Sequence, residues 1–353
     1  PDMPDKNEAE SGPGFVKPGP RNLITDIAGL AVGQAEDERA RTGVTVILPE
    51  GRVRAGVSVM GGGPGTRETD ALDPDRLVEE VDGVVLSGGS SYGLDAAGGA
   101  ANWLGARGRG FQMGASPKVS PVVPAAILFD LTNGGDKDWG EEPPYHALGR
   151  AACQNAEENA AKGQGQAFAL GAAGAGLGAL AGSARGGIGS VSAVTPDGLQ
   201  VGALVAVNAF GSAFIPGTQQ FWAAPYELGG EFGGRGWPRD MTPFSALHPF
   251  EATKAAGAVP PAPGTNTTIG VIATNARLTQ AECKRVALMG QDGMARALRP
   301  IHTPVDGDTL FVLATGEHEL PEEMRPLALA ALGSIAADCV ARAIARGVYE
   351  ANK

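Results

Sequence analysis

Apolar positions along this chain fall in short runs broken by glycine and proline, and the period inside each run separates strands from helices. Runs at 43–48 and 53–59, joined by Pro49-Glu50-Gly51, read as two strands and a turn. Residues 83–86 and 122–131 are further strand candidates. The first leads through Ser87-Gly88-Gly89-Ser90-Ser91-Tyr92-Gly93 into an alanine-rich helix at 94–104. Helical spacing returns at 145–161. Segments 189–194 and 198–208, around Pro196-Asp197-Gly198, read as a hairpin.

After position 266 the pattern turns regular. A strand is expected at 267–273. Thr279-Gln280-Ala281-Glu282 is a capping box that opens a helix to about 298, where Pro300 stops it. A strand at 309–314 and a helix at 326–346, ending at Gly347, follow. Strands mixed with helices throughout predict an α/β layered fold. Two stretches lack a period. Residues 1–22 are rich in proline, glycine and charge and are expected to form a flexible N-terminal arm. Residues 211–266, with Gly233-Gly234-Arg235-Gly236 and Val259-Pro260-Pro261, are expected to be a mobile linker.

Composition narrows the class. Apolar residues make up 43% and charged ones 19%, which is a folding composition and not a disordered one. The net charge of −11, with no basic run, argues against nucleic acid as a partner. No apolar run reaches the roughly 18 residues of a membrane span, and the start of the chain has no signal-peptide core. The cytoplasm is the expected compartment. Cys153, Cys283 and Cys339 are far apart, each among apolar neighbours, and read as buried thiols. His146, His248, His302 and His318 show no metal-ligand spacing, so no metal site is expected.

Asn266-Thr267 stands where the linker meets a β-type run. Read locally, it is a turn ending in a threonine pair. If the chain were cut there, Thr267 would gain an α-amine beside its own hydroxyl. An amine with an ordinary pKa of about 7.7–8 is one established activator of that poor nucleophile. Asp306-Gly307-Asp308 is a tight-turn signal in one reading and a pair of carboxylates facing one site in the other. Asn208 ends an apolar strand, either as a turn residue or as an amide donor to an oxyanion. Gly89-Ser90-Ser91-Tyr92-Gly93 fits Gly-x-Ser-x-Gly between a strand and a helix. Ser91 would then be an esterase nucleophile, completed by Asp306 and His318. Its alternative is a glycine-serine loop at a helix start. Gly174-Ala175-Gly176-Leu177-Gly178-Ala179, with Asp197 further on, is a loose dinucleotide fingerprint, better explained by close packing of small residues.

Several blocks in order carry a resemblance. They are Asn22-Leu23-Ile24-Thr25-Asp26, Gly63-Pro64-Gly65-Thr66-Arg67-Glu68-Thr69-Asp70, Leu86-Ser87-Gly88-Gly89-Ser90-Ser91-Tyr92-Gly93, Pro124-Ala125-Ala126-Ile127-Leu128-Phe129-Asp130, Ala173-Gly174-Ala175-Gly176, Asn266-Thr267-Thr268-Ile269 and Asp306-Gly307-Asp308-Thr309. Over residues 22–316 the chain resembles the L-aminopeptidase/D-esterase/amidase family of self-processing hydrolases. That family includes β-peptidyl aminopeptidases and nylon-oligomer (6-aminohexanoate) endo-hydrolases.

The resemblance implies an αββα sandwich of the N-terminal-nucleophile type, one domain cut into an α chain at 23–266 and a β chain at 267–353. It implies that Thr267 is the nucleophile, that Asn208 serves the oxyanion, and that Asp306 and Asp308 position Thr267 and its amine. The implied substrate is a small amide or peptide, and a hydrolase acting through Thr267 would need no cofactor. The implied assembly is a homo-oligomer of αβ units, a dimer or tetramer. Two positions depart from the nylon-hydrolase branch. Ser183 stands where that branch has a lysine, with Arg185 two residues on, and Phe129 stands where it has a tyrosine. An arginine cannot take over proton transfer from a lysine. These departures motivate a further alternative, a binding protein without hydrolytic activity.

Overall fold

The computed structural model describes residues 16–162, 167–240, 250–256 and 265–353. In chain order the strands and α-helices are β1 (Leu30–Asp37), β2 (Thr42–Pro49), β3 (Val53–Val59), β4 (Thr66–Arg67), β5 (Glu80–Val81), β6 (Val84–Ser87), α1 (Asp95–Gly105), β7 (Ala125–Ile127), α2 (Tyr145–Ala161), β8 (Leu180–Ala181), β9 (Ala184–Arg185), β10 (Gly187–Val194), β11 (Gln200–Asn208), β12 (Thr267–Ala276), α3 (Gln280–Ala297), β13 (Thr309–His318) and α4 (Arg325–Ala351). One sheet runs β1-β2-β6-β7-β4. A second runs β10-β11-β12-β13-β3-β5, and β8 pairs with β9 in a separate two-stranded sheet.

Side-chain alternation explains the stacking. On β11, Leu204 and Ala206 join a core between the two sheets, while Val201, Ala203, Val205 and Val207 join one on the opposite face. On β12, Ile269, Val271 and Ala273 face the inter-sheet core, and Ile272 faces away. Both faces are buried, so these strands read as near-continuous apolar runs. Helices α3 and α4 cover the outer face of the six-stranded sheet. Helices α1 and α2 cover the five-stranded one through Val44, Val46, Leu48 and Val85. The result is an αββα sandwich.

Most elements start and stop where the pattern predicts. Thr279 and Glu282 exchange the reciprocal bonds of a capping box at the start of α3. Strand β7 is shorter than the expected 122–131, because Pro124 precedes it and the chain after Ile127 turns so that Asp130 can be buried. Helix α4 does not end at Gly347. That glycine lies inside the helix against β10, where a Cβ would meet the Gly189 amide at 2.7 Å. Gly189 is the partner of this close approach, since a Cβ on it would lie 1.8 Å from the Ala343 carbonyl. Helix α4 also corrects one expectation. The segment Glu322–Ala351 is long and apolar enough by composition to cross a membrane, yet its apolar face packs on β10, β11 and α3.

The stretches without a period are anchored where they are described. Lys17 bridges Val194, and Asn22 accepts from the Ser192 amide and the Arg342 guanidinium. Residues 1–15 lie outside the described residues. Residues 211–240 hold one short 3-10 turn, Ala224–Tyr226, but bury Phe221 and Phe232 in the core under α4. Glu231 from this stretch pairs with buried Arg342 of α4 at 2.6 Å. Residues 241–249 and 257–264 of the expected linker also lie outside the described residues.

Candidate active site

The site forms where three strand ends meet. Asn208 and Thr267 are partners at the end of the antiparallel β11–β12 ladder. The period of two aligns Thr267 with Ile269 and Val271, and Asn208 with Leu204 and Ala206, so both side chains belong to the inter-sheet face. Strand β13 runs parallel to β12, and this register sets Asn266 beside Asp306. Asn208, Asn266, Thr267, Asp306 and Asp308 are all buried. The structure therefore brings together every residue that the resemblance assigns to the site.

The Asn266–Thr267 peptide bond is intact and closely held. The Thr267 hydroxyl donates to the Asn266 carbonyl oxygen at 2.5 Å. The Gly307 amide donates to the same oxygen at 2.8 Å. A side chain at Gly307 would put its Cβ 2.8 Å from Thr267 Oγ1, so only glycine lets this turn approach so closely. The turn is backed by the loop at 61–65. The Gly61 amide donates to the Asp308 carbonyl and the Gly63 amide to the Asp306 carbonyl. The glycine loop is thus the surface on which the acidic turn rests.

The two carboxylates have different partners. Asp308 accepts from the Thr268 amide at 2.8 Å through Oδ1, and from the His302 amide at 3.0 Å through Oδ2. The His302 ring nitrogen Nδ1 lies 2.9 Å from the same Oδ2. Asp306 accepts from the Phe210 amide at 3.2 Å and from the Thr303 amide at 3.0 Å. Burial, with the neighbouring Asp308 carboxylate, pushes the Asp306 carboxyl above its ordinary range.

Asn208 has a fixed orientation. Its Oδ1 accepts from the Leu180 amide at 2.9 Å and from Lys254 Nζ at 3.2 Å. Its Nδ2 donates to the Phe129 carbonyl at 2.9 Å and to the Thr265 carbonyl at 3.4 Å. Phe129 thus enters the site through its backbone. Arg185 and Ser183 do not enter it. Arg185 is exposed and its backbone pairs with Asn352 at the end of α4. The amine near Asn208 is instead Lys254, which the sequence pattern did not single out. His302 was likewise passed over, because only its three-dimensional contact with Asp308 distinguishes it.

The competing motifs are not assembled. Ser91 is exposed in a 3-10 turn, while Asp306 is held by Thr303 and Phe210, and His318 lies 3.8 Å from Asp197. Gly174–Gly176 is a 3-10 turn against β2, and Asp197 sits in the hairpin turn. The three cysteines are buried, and burial pushes each thiol up to about 12, so none is a nucleophile near neutrality.

Comparison with known proteins places this geometry. The family model described as peptidase family S58 matches residues 22–353, and the chain belongs to that family. An uncharacterized aminopeptidase of Mycobacterium tuberculosis is 43% identical over 347 residues, spanning 94% of each chain. A 6-aminohexanoate-oligomer endohydrolase of Kocuria sp. is 30% identical over 306 residues, covering 86% of this chain and 78% of its own. Among solved structures, a Burkholderia sp. β-aminopeptidase matches with a TM-score of 0.64 at 23% identity, covering 95% of this chain and 88% of that one. The L-aminopeptidase D-Ala-esterase/amidase of Ochrobactrum anthropi, described as a variant of the Ntn-hydrolase fold, matches with a TM-score of 0.60 at 21% identity, covering 97% and 89%. The sandwich is that fold, and the protein is a hydrolase of peptide or amide bonds.

Proposed function

We propose that this chain is a precursor that cleaves itself between Asn266 and Thr267 and then works as an N-terminal-threonine amidohydrolase. The observation that carries the reading is the convergence on one carbonyl oxygen: the Thr267 hydroxyl at 2.5 Å and the Gly307 amide at 2.8 Å. The hydroxyl attacks the Asn266 carbonyl carbon, and the Gly307 N–H supports the charge that develops on its oxygen. The Thr267 nitrogen leaves with a proton, and water releases the Asn266 carboxylate. The freed α-amine then serves as base for the same hydroxyl.

In turnover, Thr267 attacks an amide or peptide carbonyl, forms an acyl-threonine ester, and water hydrolyses it. Asn208 supports the oxyanion, and Asp306 and Asp308 fix the Thr267 backbone and its amine. The substrate class is amides of amino acids or ω-amino-acid oligomers, a range framed by the names of the relatives. Assembly as a homo-oligomer of αβ units is part of the same reading.

Denaturing electrophoresis of active protein should give bands of about 27 kDa and about 9 kDa, pro rata from 35.7 kDa. N-terminal sequencing of the smaller band should begin at Thr267. Thr267→Ala should stay whole and inactive. Active enzyme that runs as one intact band would overturn the reading.

A further inference from the structure

Lys254 reaches the site from residues 250–256. The segment is docked by its own contacts. The Lys254 amide donates to the Phe210 carbonyl at 3.1 Å, and the Phe250 ring meets Phe210 edge to face at 5.7 Å. Buried Thr253 closes the turn by donating to the Phe250 carbonyl at 2.7 Å and accepting from the Ala255 amide. This turn aims the lysine inward. Its Nζ lies 3.0 Å from the Asn208 carbonyl oxygen and 3.2 Å from Asn208 Oδ1.

We propose that Lys254 is a positioning residue for the amide hydrolysis described above, holding the Asn208 carboxamide in its working orientation and setting a positive charge behind the oxyanion. The inference rests on that reading of function. The hydrogen-bond donors around Asn208 explain the orientation. Lys254 Nζ, the Leu180 amide and Asn133 Nδ2 at 3.4 Å all point at Oδ1, so a flipped amide would place NH2 against three donors. Nδ2 is thereby committed to the Phe129 carbonyl at 2.9 Å and, at 3.4 Å, to Thr265 just before the scissile bond. A buried ammonium on the far side of the amide also polarises it and makes Nδ2 a stronger donor.

The charge is conditional on pH. Burial draws the lysine down to about 7, against the attraction of Asp306. Asp306 is the acidic group that acts on it. Asp308 is engaged with His302 and the Thr268 amide, and the Thr267 amine would be added by the cut. Lys254 therefore keeps its charge below about pH 7 and loses it above.

The test compares wild type, Lys254→Met and Lys254→Arg by the pH profile of kcat and KM on an aminoacyl p-nitroanilide, with thermal midpoints measured alongside. Wild-type kcat should show a falling limb that begins near pH 7. Lys254→Arg should remove that limb, because arginine stays charged. Lys254→Met should lower kcat about 10²-fold with KM nearly unchanged and the limb absent, as expected for a misplaced catalytic group. A Lys254→Met enzyme with the wild-type rate and profile would overturn the proposal. So would a limb that persists in Lys254→Arg, or a wild type with no falling limb, which needs no variant to read. An uncut, inactive wild type would overturn the functional reading and this role together. An active wild type with an indifferent Lys254 would overturn this role alone.

Discussion

On the proposed chemistry, Asn208 supports the oxyanion beside Thr267, and Lys254 orients Asn208. Asn208→Asp keeps the acceptor for Lys254 and Leu180 but turns the Nδ2 donor into a second acceptor facing Phe129 and Thr265. Its turnover should fall about 10²–10³-fold, the usual cost of losing one oxyanion donor. Initial rates at saturating substrate would show it, and unchanged kcat would remove Asn208 from the oxyanion role. Lys254 makes a separate prediction about stability. Its folded-state pKa of about 7 lies below the ordinary lysine value of about 10.4. Between those values the unfolded chain binds a proton that the native state does not, so native stability rises with pH across this window. Lys254→Met lacks that gain. Urea denaturation at pH 7 and pH 9.5 should therefore show wild type gaining on the variant at the higher pH. A constant difference would mean that the amine titrates normally.

Elements were the legible level of this sequence, because period and capping are local properties. The box Thr279–Glu282, the run from Thr267 and the hairpin around Asp197 each announce themselves within a few residues. Strand β1 does not, since Ala31, Gly33 and Ala35 give its alternation little contrast. Asn208, Thr267, Asp306 and Asp308 were legible only through motifs in order along the chain. Lys254 and His302 were not legible at all. Their partners lie on other elements, and nothing next to them in sequence differs from a surface loop. Glycines were partly misread for the same reason. Gly347 resembles a helix stop, but its role is contact with Gly189. Gly189→Ala should test this. Its Cβ would press on the Ala343 carbonyl and lift α4 from the sheet, at a cost of about 1–3 kcal/mol. The urea midpoint should fall with an unchanged m-value; an unchanged midpoint would show that the helix has slack.

The whole molecule decides what a cut at Asn266–Thr267 does. Strand β12 is interior to its sheet, with β11 on one side and β13 on the other, and α3 covers its outer face. Breaking one peptide bond at its end leaves these ladders and both apolar faces intact. The two fragments should therefore elute as one particle in size exclusion and separate only in denaturant. Free elution of the smaller piece from native protein would contradict the sheet order. Buried Arg342 strengthens the tie, since it joins α4 of the later segment to Glu231 and Asn22 of the earlier one.

The Gly307 bond to the Asn266 oxygen has a consequence for biosynthesis. Gly307 is supplied by the turn before β13, so the carbonyl has no such partner until the chain has been made well past the cutting point and the parallel pair has closed. On the proposed chemistry, maturation is then a built-in inspection. Only molecules that have reached the correct register arm themselves, without an external protease, and a misassembled copy stays inert. In a refolding time course the share of cut chain should lag the return of native fluorescence and never precede it, so that the remaining full-length band counts the molecules that failed.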